Sequence, residues 1–269
     1  MAICAPSVAV LMCHAPIVIP TIGRSRAGDC LASTTAMVEA AHRVAASDAR
    51  NLILISPHTP RHPHAYGGIF TPTLRGGFSA FGYPELTCSF PQDPEVLDAL
   101  SHCSRQHGIK VAAVEMDGLD HGALVPLWFL QEAGFKGSVT ILGLPWEADA
   151  GIHARFGMVL AETLGELGPW ALVASGDMSH ALKPGGPAGF DPQAHKFDEA
   201  LVACVRENRL TDLSSIEPLL RERAAEDVVD SLEVASGAMD GDTHGHRFLS
   251  YEGPFGVGYL VAILRESRT

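Results

Sequence analysis

The chain has 269 residues, enough for one large α/β domain or two small ones. Hydrophobic residues make up 46% of it and charged residues 19%, which argues against a disordered protein and allows a sizeable apolar core. The formal net charge is −12, and the Lys and Arg residues form no basic stripe. A nucleic-acid partner is therefore not expected, because binding to a phosphate backbone requires clustered cations.

The N-terminal segment MAICAPSVAVLMCHAPIVIP is apolar and superficially resembles a secretion signal. It lacks a basic start, and His14 and Pro16 interrupt the apolar run. No stretch of the sequence reaches the roughly 18 uncharged apolar residues that a membrane-spanning helix needs. The six cysteines form no Cys-x-x-Cys pair, which is typical of a reducing compartment. We expect a cytoplasmic protein with no membrane partner.

Short β-branched runs alternate with longer helical segments along the chain. Strands are predicted at 7–12, 51–56, 109–114, 138–144 and 170–176, and helices at about 28–48, 94–107, 122–133, 148–167 and 192–207. The Gly-rich and aromatic stretch 66–90 predicts irregular strands or a hairpin, and the C-terminal part predicts helices near 211–239 followed by two strands within 246–264. This alternation predicts a single α/β domain over residues 1–269, with a mostly parallel or mixed central sheet and helices on both faces.

Four of the thirteen histidines follow the end of a predicted strand: His14, His58, His121 and His180. The carboxyl ends of parallel strands share one edge of a sheet, and ligands bind in the crevice at that edge. Pro or Gly neighbours such as Pro57 and Gly122 restrict the loops that carry these side chains. The pattern predicts that the four imidazoles converge on a metal or catalytic site, although ordinary strand-to-helix turns also favour such residues.

A carboxylate would complete an iron site, because two imidazoles and one anion leave one face of the metal open. Glu252 is the candidate, since it lies in the otherwise uncharged segment Ser-Tyr-Glu-Gly-Pro-Phe-Gly-Val-Gly-Tyr. A buried carboxylate is costly unless it is paired or bound to a metal. Composition alone leaves open the alternative that Glu252 faces solvent at a turn.

Five motifs occur in order along nearly the whole chain, from about residue 8 to residue 262. They are Cys-His-Ala-Pro, Ile-Ser-Pro-His, Leu-Asp-His-Gly-x-Leu-Val-Pro-Leu, Ala-Ser-Gly-Asp-Met-Ser-His and the segment around Glu252. In this order the sequence resembles the class III extradiol dioxygenases, the family of the LigB-like catalytic subunit of protocatechuate 4,5-dioxygenase, together with the related MEMO proteins. The resemblance is closest to a bacterial branch of that group.

The resemblance implies a role for each of these residues. His14, His58 and Glu252 would bind Fe(II), His180 would act as the acid/base, and His121 would help to position substrate and oxygen. It also implies a substrate that is a catechol-type or aminophenol-type aromatic, cleaved with O₂ beside, rather than between, the two ring carbons that carry the hydroxyl or amino groups. A near-neutral proton shuttle is well served by imidazole.

One segment departs from the resemblance. Bacterial relatives often carry Glu-Cys-Gly in the helix before the last strands, where this chain reads Ala-Glu-Asp-Val-Val-Asp at 225–230. Two alternatives to a dioxygenase stay open, namely a MEMO-like metal-binding or partner protein without ring cleavage, and a metal-dependent hydrolase. The sequence does not identify the aromatic substrate. It also leaves open whether the protein forms a homodimer and whether it needs a small accessory subunit, as some relatives do.

Overall fold

The computed structural model describes residues 4–267. Its strands are β1 (Val8–Met12), β2 (Asn51–Ser56), β3 (Tyr66–Ile69), β4 (Thr73–Phe78), β5 (Tyr83–Pro91), β6 (Val111–Val114), β7 (Ser138–Gly143), β8 (Trp170–Ser175), β9 (Arg247–Glu252) and β10 (Tyr259–Glu266). Eight strands form one sheet in the order β6-β3-β7-β2-β8-β1-β10-β9, and β4 and β5 form a separate antiparallel hairpin.

The α-helices of the described part are α1 (Pro20–Gly23), α2 (Leu31–Ala46), α3 (Pro94–Gln106), α4 (His121–Glu132), α5 (Ile152–Leu167), α6 (Ala194–Arg206), α7 (Pro218–Ala224) and α8 (Val229–Met239). Within residues 4–267, none of them is long and apolar enough to cross a membrane. The helix predicted at about 94–107 is confirmed as α3, and the Asp93 carboxylate caps it by accepting a hydrogen bond from the backbone N–H of Glu95.

The central strands β7, β2, β8 and β1 run parallel, and every residue of β1, β2 and β8 is buried. Alternate residues of β1 enter two different cores, which lie on opposite faces of the sheet. Helices α3, α5, α6 and α8 contribute to one core, and helices α2 and α4 contribute to the other. The expected α/β architecture with helices on both faces is confirmed.

The edges of the sheet explain why it is mixed rather than wholly parallel. Strand β10 runs antiparallel to β1 and β9, and β3 runs antiparallel to β7. Because β6 pairs parallel with β3, it runs opposite to the central strands. The carboxyl end of β6 therefore does not share an edge with those of β1, β2 and β8.

Helices α5 and α8 pack with their backbones in direct contact. A Cβ atom added at Gly237 would lie 1.9 Å from the carbonyl oxygen of Ala154, and one added at Gly157 would lie 2.0 Å from that of Val234. Glycine is required at both positions because any side chain would separate the two helices. This contact fixes α8, and the loop that leads into α8 carries part of the site described next.

Candidate metal centre

Three residues reach the same place from the carboxyl ends of three neighbouring strands. His14 lies two residues after β1, Ser175 ends β8, and His58 lies two residues after β2. The strands are buried and parallel, so their ends are held in fixed register. The predicted convergence of His14 and His58 therefore follows directly from the order of the strands.

His14, His58 and His121 form a cluster, which we call the histidine cluster. One ligating nitrogen of each ring lies within 4.8 Å of the others. The ring centroids of His14 and His58 are 4.8 Å apart, and that of His121 lies 5.3 Å and 4.1 Å from them. The sequence pattern had suggested that His121 reaches the cluster from a strand end that matches those of β1 and β2. It does not, because β6 runs in the opposite direction. It arrives instead as the first residue of α4.

Asp227, which precedes α8, places its carboxylate against two rings of the cluster. Its Oδ2 atom lies 3.4 Å from Nε2 of His14 and 3.1 Å from Nε2 of His58, and the two Nε2 atoms are 3.1 Å apart. Two imidazole nitrogens and one carboxylate oxygen thus form a nearly equilateral triangle. Bonds of about 2.1 Å at right angles to one another place neighbouring ligands about 3.0 Å apart, so the triangle has the size of one face of a metal coordination sphere.

Hydrogen bonds determine which ring nitrogen of His14 is unprotonated and able to bind a metal ion. Nδ1 of His14 lies 3.0 Å from Oγ of Ser175, and that hydroxyl donates its proton to the carbonyl oxygen of Gly122 at 2.6 Å. A hydroxyl whose proton is committed can only accept, so Nδ1 of His14 carries the proton and Nε2 is left unprotonated in the neutral ring. The Nε2 lone pair then faces the centre of the triangle.

Asp177 connects the strand β8 side of the site to Asp227. Its Oδ1 atom accepts from the backbone N–H of His14 at 2.9 Å, and its own N–H donates to Oδ1 of Asp227 at 2.7 Å. One oxygen of the Asp227 carboxylate is therefore occupied, and the other faces His14 and His58. Asp177 is almost completely buried, and its hydrogen bonds connect the segments of His14 and Asp227, which are distant in sequence.

Asp120 performs a similar task on the side of His58 and His121. Its carboxylate accepts from the hydroxyls of Ser56 at 2.6 Å and Thr59 at 2.7 Å, and it also caps α4 through the N–H of Ala123. The loop that carries His58 and the helix start that carries His121 are thereby tied to one group.

A partly buried ion pair fixes the turn that carries Asp227. Glu226 accepts from the N–H groups of Val228 and Val229 at 2.7 and 2.9 Å, and its other oxygen lies 2.6 Å from Nε of Arg221. Arg221 also reaches Asp230 at 2.7 Å. These bonds satisfy the N–H groups at the start of α8 and compensate the charge of Glu226. They hold the backbone on both sides of Asp227, so its carboxylate has little freedom to turn away from the histidines.

The site has an anionic character that favours a cation. Burial would raise the pKa of Asp227, but the imidazoles of His14 and His58 lower it well below its ordinary range. Burial would lower the pKa of His14, but Asp177 and Asp227 outweigh it and raise the pKa to about 9. Burial raises the pKa of Asp177, and the neighbouring Asp227 adds to this effect. In the metal-free protein, a proton on His14 balances the carboxylates, and a metal ion can take its place.

His121 differs electrostatically from the other two members of the histidine cluster. Burial lowers its pKa to about 4, and the adjacent His58 and His14 contribute to the decrease. The ring is therefore neutral near pH 7 and can donate or accept a hydrogen bond without changing charge. The half-exposed ring of Phe81 lies edge-on to it, with centroids 6.3 Å apart, so an aromatic side chain borders the cluster.

His180 is not a member of the histidine cluster. Its backbone N–H donates to the carbonyl of Ala224 at 2.8 Å, three residues before Asp227. Its Nδ1 atom is buried and has no hydrogen-bond partner among residues 4–267. A buried ring nitrogen without a partner is costly, so this atom is suited to a group that is present only when a ligand is bound.

Glu252, the carboxylate selected from the sequence, lies elsewhere. It ends strand β9, and its Oε1 accepts from the backbone N–H of Ser33 at 2.6 Å. Strand β10 separates β9 from β1, and therefore Glu252 from His14. The structure does not bring Glu252 into the histidine cluster, and the carboxylate that it places against His14 and His58 is that of Asp227.

A family model described as "Catalytic LigB subunit of aromatic ring-opening dioxygenase" matches residues 8–262. The chain belongs to this family. It is 28% identical over 264 residues to Protein CA_C1420 of Clostridium acetobutylicum, an alignment that covers 93% of this chain but 56% of that protein. The chain thus spans about half the length of this curated relative.

A solved structure shares the fold of the chain. The crystal structure of the uncharacterized protein JW3007 from Escherichia coli K12 superposes with a TM-score of 0.62 and 20% identity. The superposition covers 95% of this chain and 98% of the other. Proteins of the LigB family typically bind a metal, and the histidine cluster provides a group of residues able to hold one.

The sequence contained one signal for Asp227. When Glu226 is aligned with the glutamate of the Glu-Cys-Gly segment found in bacterial relatives, Asp227 takes the place of the cysteine. Cysteine and aspartate are both metal-ligating residue types. The resemblance therefore offered a reason to consider Asp227 as a candidate ligand.

Proposed function

We propose that this LigB-family protein is a non-haem Fe(II) extradiol dioxygenase whose protein ligands are His14, His58 and Asp227. The triangle formed by His14 Nε2, His58 Nε2 and Asp227 Oδ2 supports this proposal most strongly, because two imidazoles and one carboxylate on one face are the ligand set of Fe(II) oxygenases. Asp227 takes the place that the sequence had suggested for Glu252. The ion would supply the redox chemistry that O₂ needs to react with a catechol-type or aminophenol-type ring.

The surrounding residues have tasks that their positions support. Phe81 and the neutral ring of His121 form a wall against which an aromatic substrate can pack, with His121 donating a hydrogen bond to a ring oxygen as negative charge develops. His180 is the proposed acid/base. Its buried Nδ1 has no hydrogen-bond partner among the described residues, and the ring would accept a phenolic proton and return it later.

A second candidate function has a specific observation in its favour. The His121 ligating nitrogen belongs to the same cluster as those of His14 and His58, so it could also ligate the metal. Three imidazoles and a carboxylate would leave fewer open positions and would suit Zn²⁺. That arrangement is compatible with a MEMO-like metal-binding protein or a metal-dependent hydrolase.

Anaerobic loading with Fe(II) followed by addition of O₂ and a panel of catechols and aminophenols separates the two candidates. We expect loss of the aromatic absorbance with one O₂ consumed per ring. The Zn²⁺-loaded protein is the matched control and should be inactive, because zinc has no redox chemistry. If the protein binds one iron per chain but consumes no O₂ with any member of the panel, the dioxygenase proposal fails.

A further inference from the structure

A second group of metal-ligating side chains lies away from the histidine cluster, where helices α3 and α5 pack together. It consists of Cys103 and His107 from the end of α3 and Glu162 from α5. One ligating atom of each lies within 4.8 Å of the others, and Nε2 of His107 is 3.0 Å from Oε2 of Glu162. Neither the sequence motifs nor the proposed dioxygenase chemistry uses these three residues.

Helix geometry accounts for the arrangement. Cys103 and His107 are four residues apart, so they lie on the same face of α3, one turn from each other. The backbone N–H of His107 bonds to carbonyls of the last turn, and its own carbonyl accepts from Arg155 of α5 at 3.1 Å. A hydrogen bond from the Arg155 side chain thus holds the end of α3 against α5 beside the side-chain cluster.

We propose that Cys103, His107 and Glu162 form a second metal site, specific for Zn²⁺ or a similarly thiophilic ion. A thiolate, an imidazole and a carboxylate are three protein ligands of the kind that zinc accepts in tetrahedral sites, whereas Mg²⁺ prefers sites made of oxygen ligands. Tetrahedral coordination places N and O ligands about 3.4 Å apart. The His107–Glu162 pair therefore needs to open by only a few tenths of an ångström.

A small cavity adjoins two of the three proposed ligands. A cavity of about 180 Å³ is lined by His107 and Glu162 together with Arg155, Met158, Val159 and Ile109. It can hold a water molecule or a small anion, and Arg155 provides a positive charge on its wall. The site would link α3 to α5, and α5 is the helix whose backbone contacts α8.

Cobalt(II) titration of the reduced full-length protein tests the proposal, since a cobalt–thiolate bond gives a charge-transfer absorption that N and O ligands do not. We expect two cobalt ions per chain and this absorption. Cys103→Ser should lose one ion and the absorption, whereas Asp227→Asn should lose one ion and keep it. Cys4→Ser, which changes an exposed cysteine outside the cluster, is the matched control.

The outcomes distinguish this proposal from the proposed function. A wild-type protein without the thiolate absorption, or a Cys103→Ser variant that retains it, overturns the second site. His107→Ala is the second test and should lower the affinity of that ion at least tenfold while leaving the first ion bound. If His107→Ala changes neither the absorption nor the affinity, the proposal is equally overturned, and the assignment of the histidine cluster is unaffected.

Discussion

The hydroxyl of Ser175 accepts the Nδ1 proton of His14 at 3.0 Å while it donates to the carbonyl of Gly122 at 2.6 Å. One side chain thereby holds the His14 ring in a single tautomer and a single orientation. Because Gly122 follows His121, the same hydroxyl also connects the strand that carries His14 to the helix start that carries His121. Such bonds behind a metal ligand tune its basicity as well as its position.

Ser175→Ala should weaken metal binding without abolishing it. Loss of the hydroxyl frees the His14 ring to rotate and change tautomer, and bonds of this kind are typically worth about 10- to 100-fold in metal affinity. Competition with a chromophoric chelator measures the change. Ser33→Ala is the matched control, because Ser33 is fully buried and its hydroxyl has no hydrogen-bond partner among the described residues. An unchanged affinity in Ser175→Ala would contradict this role.

Asp227→Asn should lose the metal of the histidine cluster. The amide keeps the shape of the side chain but lacks the negative charge that stabilises a cation between His14 and His58. Glu252→Gln should retain this metal, since the Glu252 carboxylate bonds to the backbone of Ser33 instead. Metal content of the two variants after dialysis is the measurement. If Glu252→Gln loses the metal and Asp227→Asn keeps it, the ligand set proposed from the structure is wrong.

His180→Ala should retain the metal and lose activity. His180 is outside the histidine cluster, and general acid/base help is typically worth roughly 10²- to 10⁴-fold in rate. His180→Gln should be nearly as impaired, because glutamine can hydrogen-bond but cannot carry a proton. We expect a smaller defect in His121→Ala, mainly through substrate or oxygen positioning. Metal content and kcat should be measured on the same preparations, and loss of metal from His180→Ala would show that His180 is a ligand.

Metal affinity should rise with pH up to about pH 9. In the metal-free protein the pKa of His14 is raised to about 9, so near neutral pH the metal must displace a proton from this ring. Affinity should therefore increase about tenfold per pH unit between about pH 7 and pH 9 and then level off, with about one proton released per metal bound at neutral pH. Calorimetry in two buffers of different ionisation enthalpy counts the protons. A pH-independent affinity would contradict the raised pKa.

Local sequence patterns were sufficient to predict the architecture. Buried strands such as β2 and β8 appear as uninterrupted apolar runs, and the predicted bounds of 51–56 and 170–176 agree with the observed ones within one residue. The same patterns identified His14 and His58, because a side chain just after a buried parallel strand must lie at the sheet edge where the neighbouring strands also end. The prediction for 211–239 was less detailed: it gave helices in general, and the structure has a 3₁₀ helix followed by the two separate helices α7 and α8.

Tertiary structure alone decided which carboxylate accompanies these histidines. Asp227 and Glu252 are both acidic residues in the C-terminal part of the chain, and the local sequence favoured Glu252 because it lies in an otherwise uncharged segment. The choice depends on long-range contacts: Asp177 and the Arg221–Glu226 pair direct Asp227 toward His14, and strand β10 holds Glu252 away from it. Strand and helix periodicity arises from neighbours in sequence, whereas a ligand set is formed by residues that only the folded chain brings together.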